Sequence, residues 1–245
     1  MPSDNRWKEA QSFEKSYWEK SAEKIRLGAR GGLGFYKWRA ENMMEMMRKA
    51  FPVKEISFAN SRVLEIGSGA VGMLAFLDAK ERYAIDPLCD FYSSRPELIE
   101  NRNPDVMYQK GKGEDLPHES GSFDLVVIEN VIDHVDKADM VMREIHRILK
   151  PEGILYLTVN LHPPWGAFLH TILAELEIDR GHPYTFTIPK IRKFLTKHGF
   201  KLKYDEWENY RECRKKELGS SSKKDKIKAL IGLSEFLFTS VSIRA

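Results

Sequence analysis

From residue 62 onward, short apolar runs alternate with stretches that repeat apolar positions every three or four residues. The runs predict strands at 62–66, 83–86, 105–109, 123–129 and 154–160. Helical spacing predicts a short helix at 71–79, a longer one at 136–149 (Met140, Ile145, Ile148, Leu149) and another at 188–198, ending at Gly199. An apolar helical stretch runs from 166 to about 178, and two strands at 201–207 and 236–243 close the pattern. Strands alternating with helices imply an α/β fold with a parallel sheet covered on both faces.

The first 60 residues differ in kind: they are polar and aromatic, with helical spacing and no strand pattern. Trp38, Met43, Met46 and Met47 predict an apolar stripe packed on the main domain. The glycine-rich break at 27–34 reads as a linker, or as the hinge of a lid. Residues 211–228 form a basic connector containing Gly219-Ser220-Ser221-Ser222, expected as a solvated, mobile loop. Its alternative is a patch for an acidic or lipid-linked substrate, with Leu230-Ile231-Gly232-Leu233 touching a membrane surface.

Composition narrows the classes. The chain has 245 residues, 42% hydrophobic and 31% charged, enough for one core plus an extension. A net charge of +3 is too small to argue for nucleic acid. Cys89 and Cys213, far apart, suggest neither a disulfide framework nor a metal site, so a reducing, cytoplasmic setting is expected. No apolar signal core and no bilayer-spanning stretch is expected.

The chemistry concentrates at Val63-Leu64-Glu65-Ile66-Gly67-Ser68-Gly69-Ala70-Val71-Gly72. A buried strand there runs into closely spaced glycines, which let backbone N–H groups approach a ligand. Asp86 ends the next strand, placed to accept two ribose hydroxyls. Glu114-Asp115-Leu116-Pro117 precedes Phe123-Asp124-Leu125-Val126-Val127, and Ile148-Leu149-Lys150-Pro151-Glu152-Gly153 leads into the fifth strand. This set resembles the class I S-adenosylmethionine-dependent methyltransferases, in particular the type 11 small-molecule group, from about Arg62 to Asn160.

The resemblance implies a doubly wound, mostly parallel, seven-stranded Rossmann-like sheet with an antiparallel last strand. It implies S-adenosyl-L-methionine as cofactor and methyl transfer to a small molecule, with an oxygen acceptor preferred. Glu65, Gly67, Ser68 and Gly69 match the motif that approaches the methionine part of the cofactor, and Asp86 matches the ribose-holding acid. Gly113 offers a backbone N–H to adenine, Glu114 or Asp115 takes its exocyclic amine, and Glu129 matches a position near the methionine moiety. Lys112 and Val71 depart from the family pattern. Candidate bases are His134 and His182, ahead of His162. Trp165, Phe168, Tyr184 and Phe186 are expected to wall the acceptor site. The implied division is a helical extension or lid at 1–60 and a methyltransferase domain at 61–245, with an acceptor-site insertion at 161–187 and the connector at 208–230.

Two rivals stay open. Gly67-x-Gly69-x-x-Gly72, with Asp86 downstream, also fits the dinucleotide fingerprint of an NAD(P)-dependent oxidoreductase. Against it, a carboxylate at Glu65 suits an ammonium-bearing cofactor and repels a pyrophosphate. The other rival is a non-catalytic protein that keeps the pocket.

Overall fold

The computed structural model describes residues 4–26, 33–53, 55–175 and 184–245. Two helices lead, α1 (Asp4–Arg26) and α2 (Leu33–Ala50). Next come β1 (Arg62–Ile66), a 3-10 turn (Met73–Phe76), β2 (Glu81–Asp86), and the short helices α3 (Cys89–Ser93) and α4 (Pro96–Ile99). They are followed by β3 (Val106–Lys110), β4 (Phe123–Glu129), α5 (Ala138–Ile148) and β5 (Leu149–Leu161). The chain closes with α6 (Pro164–Glu175), α7 (Ile188–Lys197), β6 (Phe200–Trp207), α8 (Tyr210–Leu218), α9 (Lys223–Leu230) and β7 (Phe236–Arg244).

The seven strands lie in the order β3-β2-β1-β4-β5-β7-β6. All neighbours are parallel except β7, which runs antiparallel to both β5 and β6. The expected doubly wound sheet with an antiparallel last strand is therefore present. Strand order reverses between β1 and β4, which opens a crevice at their carboxyl ends.

Alternation along the central strands divides the core into two layers. Leu64 and Ile66 of β1, with Val126 and Ile128 of β4, pack against Val141, Met142 and Ile145 of α5. Val63, Leu125 and Val127 point the other way, onto Met43, Met46 and Met47 of α2. Each of these methionines is buried, a gain of about 1.5–3 kcal/mol apiece. The N-terminal extension thus supplies one of the layers a parallel sheet needs.

Three expectations are corrected. Trp38 is 52% exposed and does not share the methionine stripe, because five residues of helix place it about 140° around the axis from Met43. The helix expected at 71–79 shrinks to the 3-10 turn Met73–Phe76, since Gly72 enters it at φ 78°. The basic connector is helical. Asn209 caps α8 by accepting from the Arg211 N–H, and Ser222 caps α9 by accepting from the Asp225 N–H. The glycine break at 27–32 lies outside the described residues. Among the described residues, no helix is long and apolar enough to cross a membrane.

Candidate functional site

A cavity of about 400 Å³ occupies the crevice at the carboxyl ends of β1, β2 and β4. Its floor is Ile66, Gly67, Ser68 and Gly69 after β1, Ile85 and Asp86 ending β2, and Glu129 and Asn130 ending β4. One side is formed by Gly111, Lys112, Gly113 and Glu114, with Val131, His134 and Val135 beside them. The opposite side comes from the N-terminal helices: Gln11, Glu14, Tyr17 and Trp18 of α1, and Phe35, Tyr36 and Arg39 of α2.

The glycine loop is shaped by what surrounds it. Gly67 sits at φ 72°, and a Cβ there would come within 2.2 Å of the Val131 side chain. Gly72, the third glycine of the dinucleotide-like spacing, answers a different need. A Cβ on it would lie 2.6 Å from a Glu65 carboxylate oxygen. That carboxylate accepts from the Met73 and Leu74 N–H groups at 3.1 Å each, tying the strand end to the 3-10 turn. Glu65 is buried, and this clamp on the loop is the work its carboxylate does in the structure.

Burial pushes the Glu65 carboxyl up to about 7, against the opposing pull of Arg39 and of its two backbone donors. Asp86 is raised in the same way to about 6. Both folded-state values lie above the ordinary carboxyl values of 4.5 and 3.8. Their contribution is therefore fully present below the ordinary value and is lost as pH rises through the folded one. Between pH 5 and pH 7.5 the unliganded protein is expected to lose on the order of 2 kcal/mol of unfolding free energy from Glu65 and on the order of 1 kcal/mol from Asp86. Urea midpoints at pH 5 and pH 7.5 check this, and Glu65→Gln should flatten the dependence.

Asp86 is the best-held acid in the cavity. One oxygen accepts from the Gly69 N–H at 2.9 Å and the other from the Leu88 N–H at 2.8 Å. Each oxygen keeps acceptor capacity beyond these bonds. Glu129 receives the Arg39 Nε–H at 2.5 Å, an ion pair with both side chains nearly buried. Burial raises the Glu129 carboxyl, and Arg39 opposes the rise. Glu114 accepts from the Asp136 and Lys137 N–H groups at 2.9 and 3.2 Å, holding the entry to α5. Gly113 has no spare room, since a Cβ there would lie 3.1 Å from Ile66 and Val141.

Of the residues expected from sequence, Gly67, Ser68, Gly69, Asp86, Gly113, Glu114, Glu129 and His134 come together here. Asp115 does not: it is exposed and bridged to Lys112 through the backbone. His134 is partly exposed, with Nε2 at 3.6 Å from the buried Asp133 carboxylate. His162, the third of the candidate bases, is buried, 3.6 Å from Glu235. His182 lies outside the described residues.

The four aromatics expected at the acceptor site lie outside this cavity. Phe186 is core, and the Tyr184 hydroxyl donates to the Asp136 carbonyl at 2.8 Å. Trp165 and Phe168 are exposed, away from the cavity. The cavity's aromatics are Tyr17, Trp18, Phe35 and Tyr36, which sequence reasoning missed along with Arg39. The spacing Gln11, Glu14, Trp18, Ala22 was the available signal: one helix face that is neither aliphatic nor uniformly charged.

A second cavity of about 480 Å³ lies between α2 and the 3-10 turn, with Glu41, Arg48, Phe76 and Leu77 in its wall. It receives no residue from the strand ends and none of the glycine loop.

A family model described as "Methyltransferase domain" matches residues 64–157. The Ubiquinone/menaquinone biosynthesis C-methyltransferase of Rubrivivax gelatinosus is 27% identical over 153 residues, 58% of this chain and 60% of that protein. The demethylmenaquinone methyltransferase of Beutenbergia cavernae is 32% identical over 95 residues, 36% of this chain and 40% of that protein. The matches thus span less than two thirds of these relatives' own length. Among solved structures, the geranyl diphosphate C-methyltransferase of Streptomyces coelicolor superposes with a TM-score of 0.62. It is 13% identical, over 85% of this chain and 79% of that one. With residues 64–157 matched by the domain model and its sheet laid out in that order, the chain has the Rossmann-like fold of the class I S-adenosylmethionine-dependent methyltransferases.

Proposed function

We propose that this chain transfers the methyl group of S-adenosylmethionine to a small-molecule acceptor. The charge and aromatic character of the cavity carry the reading. Four carboxylates (Glu14, Asp86, Glu114, Glu129) face two cations (Arg39, Lys112), with Tyr17, Trp18, Phe35 and Tyr36 around them. Such a lining suits a cationic sulfonium and ammonium, through carboxylates and ring faces, and opposes a pyrophosphate. The dinucleotide reading loses its footing in the same region. Gly72 is accounted for by the Glu65 carboxylate, and the glycine turn leads into a four-residue 3-10 turn rather than a long helix whose N-terminus could hold phosphate.

The residues present fit the cofactor. Asp86 would hold the ribose, the Gly113 backbone N–H and the apolar Ile85, Leu88 and Val135 would hold adenine, and Glu129 would take the amino-acid end. The bound donor supplies a methyl group already activated by positive sulfur, so the protein's work is mainly positioning and exclusion of water. The Gly67–Gly69 backbone and the aromatic faces of α1 and α2 do both. His134, on the cavity wall beside Asp133, is the group placed to accept a proton from the acceptor.

In this reading residues 1–60 roof the cofactor, and 161–187 with 208–230 serve the acceptor side of the 61–245 domain. The acceptor atom expected from sequence was oxygen. The curated relatives are named as a C-methyltransferase and a demethylmenaquinone methyltransferase, so ring carbon is the first acceptor atom to test. The test is incubation with methyl-labelled donor and a panel of phenolic and quinol-like compounds. Label in an organic-soluble product, with S-adenosylhomocysteine released in equal amount, is expected. Nicotinamide reduction with no donor turnover would overturn the proposal.

A further inference from the structure

Away from the cofactor cavity, the structure leaves five large apolar side chains in solvent on one contiguous face. Trp165 and Phe168 of α6 are 61% and 58% exposed, with ring centroids 5.9 Å apart. Ile227 and Leu230 of α9 and its C-cap Ile231 are exposed at i, i+3, i+4 spacing, which places them on one side of the helix and its end. The two groups touch, because the Trp165 Nε1–H donates to the Ile231 carbonyl at 3.3 Å. The sequence of α6 carries no Lys, Arg, Asp or Glu before Glu175. A contiguous apolar face of this kind on a soluble domain marks a contact surface.

Charge says what it contacts. Residues 210–231 hold eight lysines and arginines against three acids, an excess larger than the +3 of the whole chain. Two of the three acids serve internal bonds: Glu217 accepts from the Ser234 hydroxyl at 2.6 Å, and Asp225 from the Ser220 hydroxyl at 2.7 Å. Lys215 and Lys216 of α8 and Lys223, Lys224 and Lys226 of α9 are exposed. Apolar residues bordered by basic ones on short amphipathic helices match the interface of an anionic bilayer: rings and aliphatic chains enter the acyl boundary while ammonium groups stay at lipid phosphates. A polyanion such as nucleic acid would use the lysines but leave the apolar face uncovered.

The topology gives the surface a purpose. α6 leaves the carboxyl end of β5, α8 leaves the carboxyl end of β6, and α9 feeds the antiparallel β7, so all three sit on the sheet edge that carries the cofactor cavity. We infer that α6, α8 and α9 form a peripheral docking surface for an anionic lipid bilayer. Docking there turns the cavity edge toward the membrane, so a membrane-partitioned acceptor reaches it without crossing water. Delivery of an acceptor rests on the methyl-transfer reading, whereas bilayer binding itself is tested without it.

The test is co-sedimentation of the full chain with vesicles of phosphatidylcholine alone and of phosphatidylcholine mixed with phosphatidylglycerol, at low and high salt. Binding to the mixed vesicles is expected, weakened by salt, with little binding to the neutral ones. The double variant Ile227→Ser/Leu230→Ser and the triple variant Lys223→Glu/Lys224→Glu/Lys226→Glu should each bind at least about tenfold more weakly. All these positions are exposed, so both variants should keep the parental melting temperature and nucleoside affinity. Absence of binding to the mixed vesicles, or variants that bind like the parent, would overturn the inference. So would a solution dimer that Ile227→Ser/Leu230→Ser dissociates without any vesicle binding, which assigns the face to a second copy. Salt-sensitive RNA binding that competes the protein off vesicles and survives the apolar double variant would also overturn it.

Discussion

Asp86→Ala is expected to weaken S-adenosylmethionine binding by at least about a hundredfold while the sheet stays folded. The carboxylate at the end of β2 does two things at once. It clamps the Gly69 and Leu88 N–H groups, which sets the shape of the glycine loop, and it would accept the ribose hydroxyls. Hydrogen bonds to a charged group are worth about 1.5–3 kcal/mol each, so losing two toward the ribose costs about 3–6 kcal/mol of affinity. The residues before it, Ala84 and Ile85, stay buried and keep β2 in register. A pH dependence accompanies the effect. Burial holds the Asp86 carboxyl at about 6, and acceptance of two hydroxyls requires the ionised form. Donor affinity of the parent should therefore fall as pH drops below about 6, and Asp86→Asn should bind weakly with a flatter profile. Parental affinity in Asp86→Ala would remove Asp86 from the site.

Arg39→Ala is expected to destabilise the protein by about 3–5 kcal/mol, more than any exposed ion pair in the chain. The guanidinium lies 2.5 Å from Glu129, with the two side chains 12% and 8% exposed. Removing it leaves a carboxylate buried at the end of β4 with its charge partner gone, and that orphan rather than the lost attraction sets the cost. Glu129 can relieve part of it by taking up a proton, because burial already raises its carboxyl. Destabilisation should therefore be larger at pH 8 than at pH 5. The paired variant Arg39→Met/Glu129→Gln should recover most of the loss, and urea unfolding of the four proteins gives the coupling directly. An Arg39→Ala midpoint equal to the parent's would show that α2 does not lean on Glu129. The exposed Lys37–Glu41 pair, by contrast, is worth a few tenths of a kcal/mol.

Why these two positions differ in visibility says what a sequence can carry. Asp86 was legible because local order announces it: an apolar run, an acid at its end, and a glycine turn at a fixed distance upstream. β1 and β4 were legible to the residue for the same reason, as near-continuous apolar strands buried on both faces. α5 followed from its period of 3.6. Arg39 was illegible because its meaning lies ninety positions away, at Glu129. The clamp made by Glu65 was hidden likewise. A carboxylate beside a glycine loop reads as a ligand contact, and only the folded 3-10 turn shows Met73 and Leu74 claiming both its oxygens. The connector misled by composition, since a basic, serine-rich stretch suggests a loop until Asn209 and Ser222 are recognised as helix caps. Phe186 and Trp165 are both aromatics of one segment, yet one is core and the other lies in solvent. No local signal separates them, because the ring packed on Phe186 from α7, Phe194, sits on a later helix.

The central claim is that the cavity above Gly67 and Asp86 holds a cationic adenosyl donor. Calorimetric titration of the purified chain with S-adenosylmethionine, S-adenosylhomocysteine, NAD and NADP tests it most directly. Saturable micromolar binding of the first two, with no heat from either nicotinamide, is the expected result. Binding of NAD or NADP with none of the adenosyl compounds would contradict the account and return the glycine turn to the dinucleotide reading.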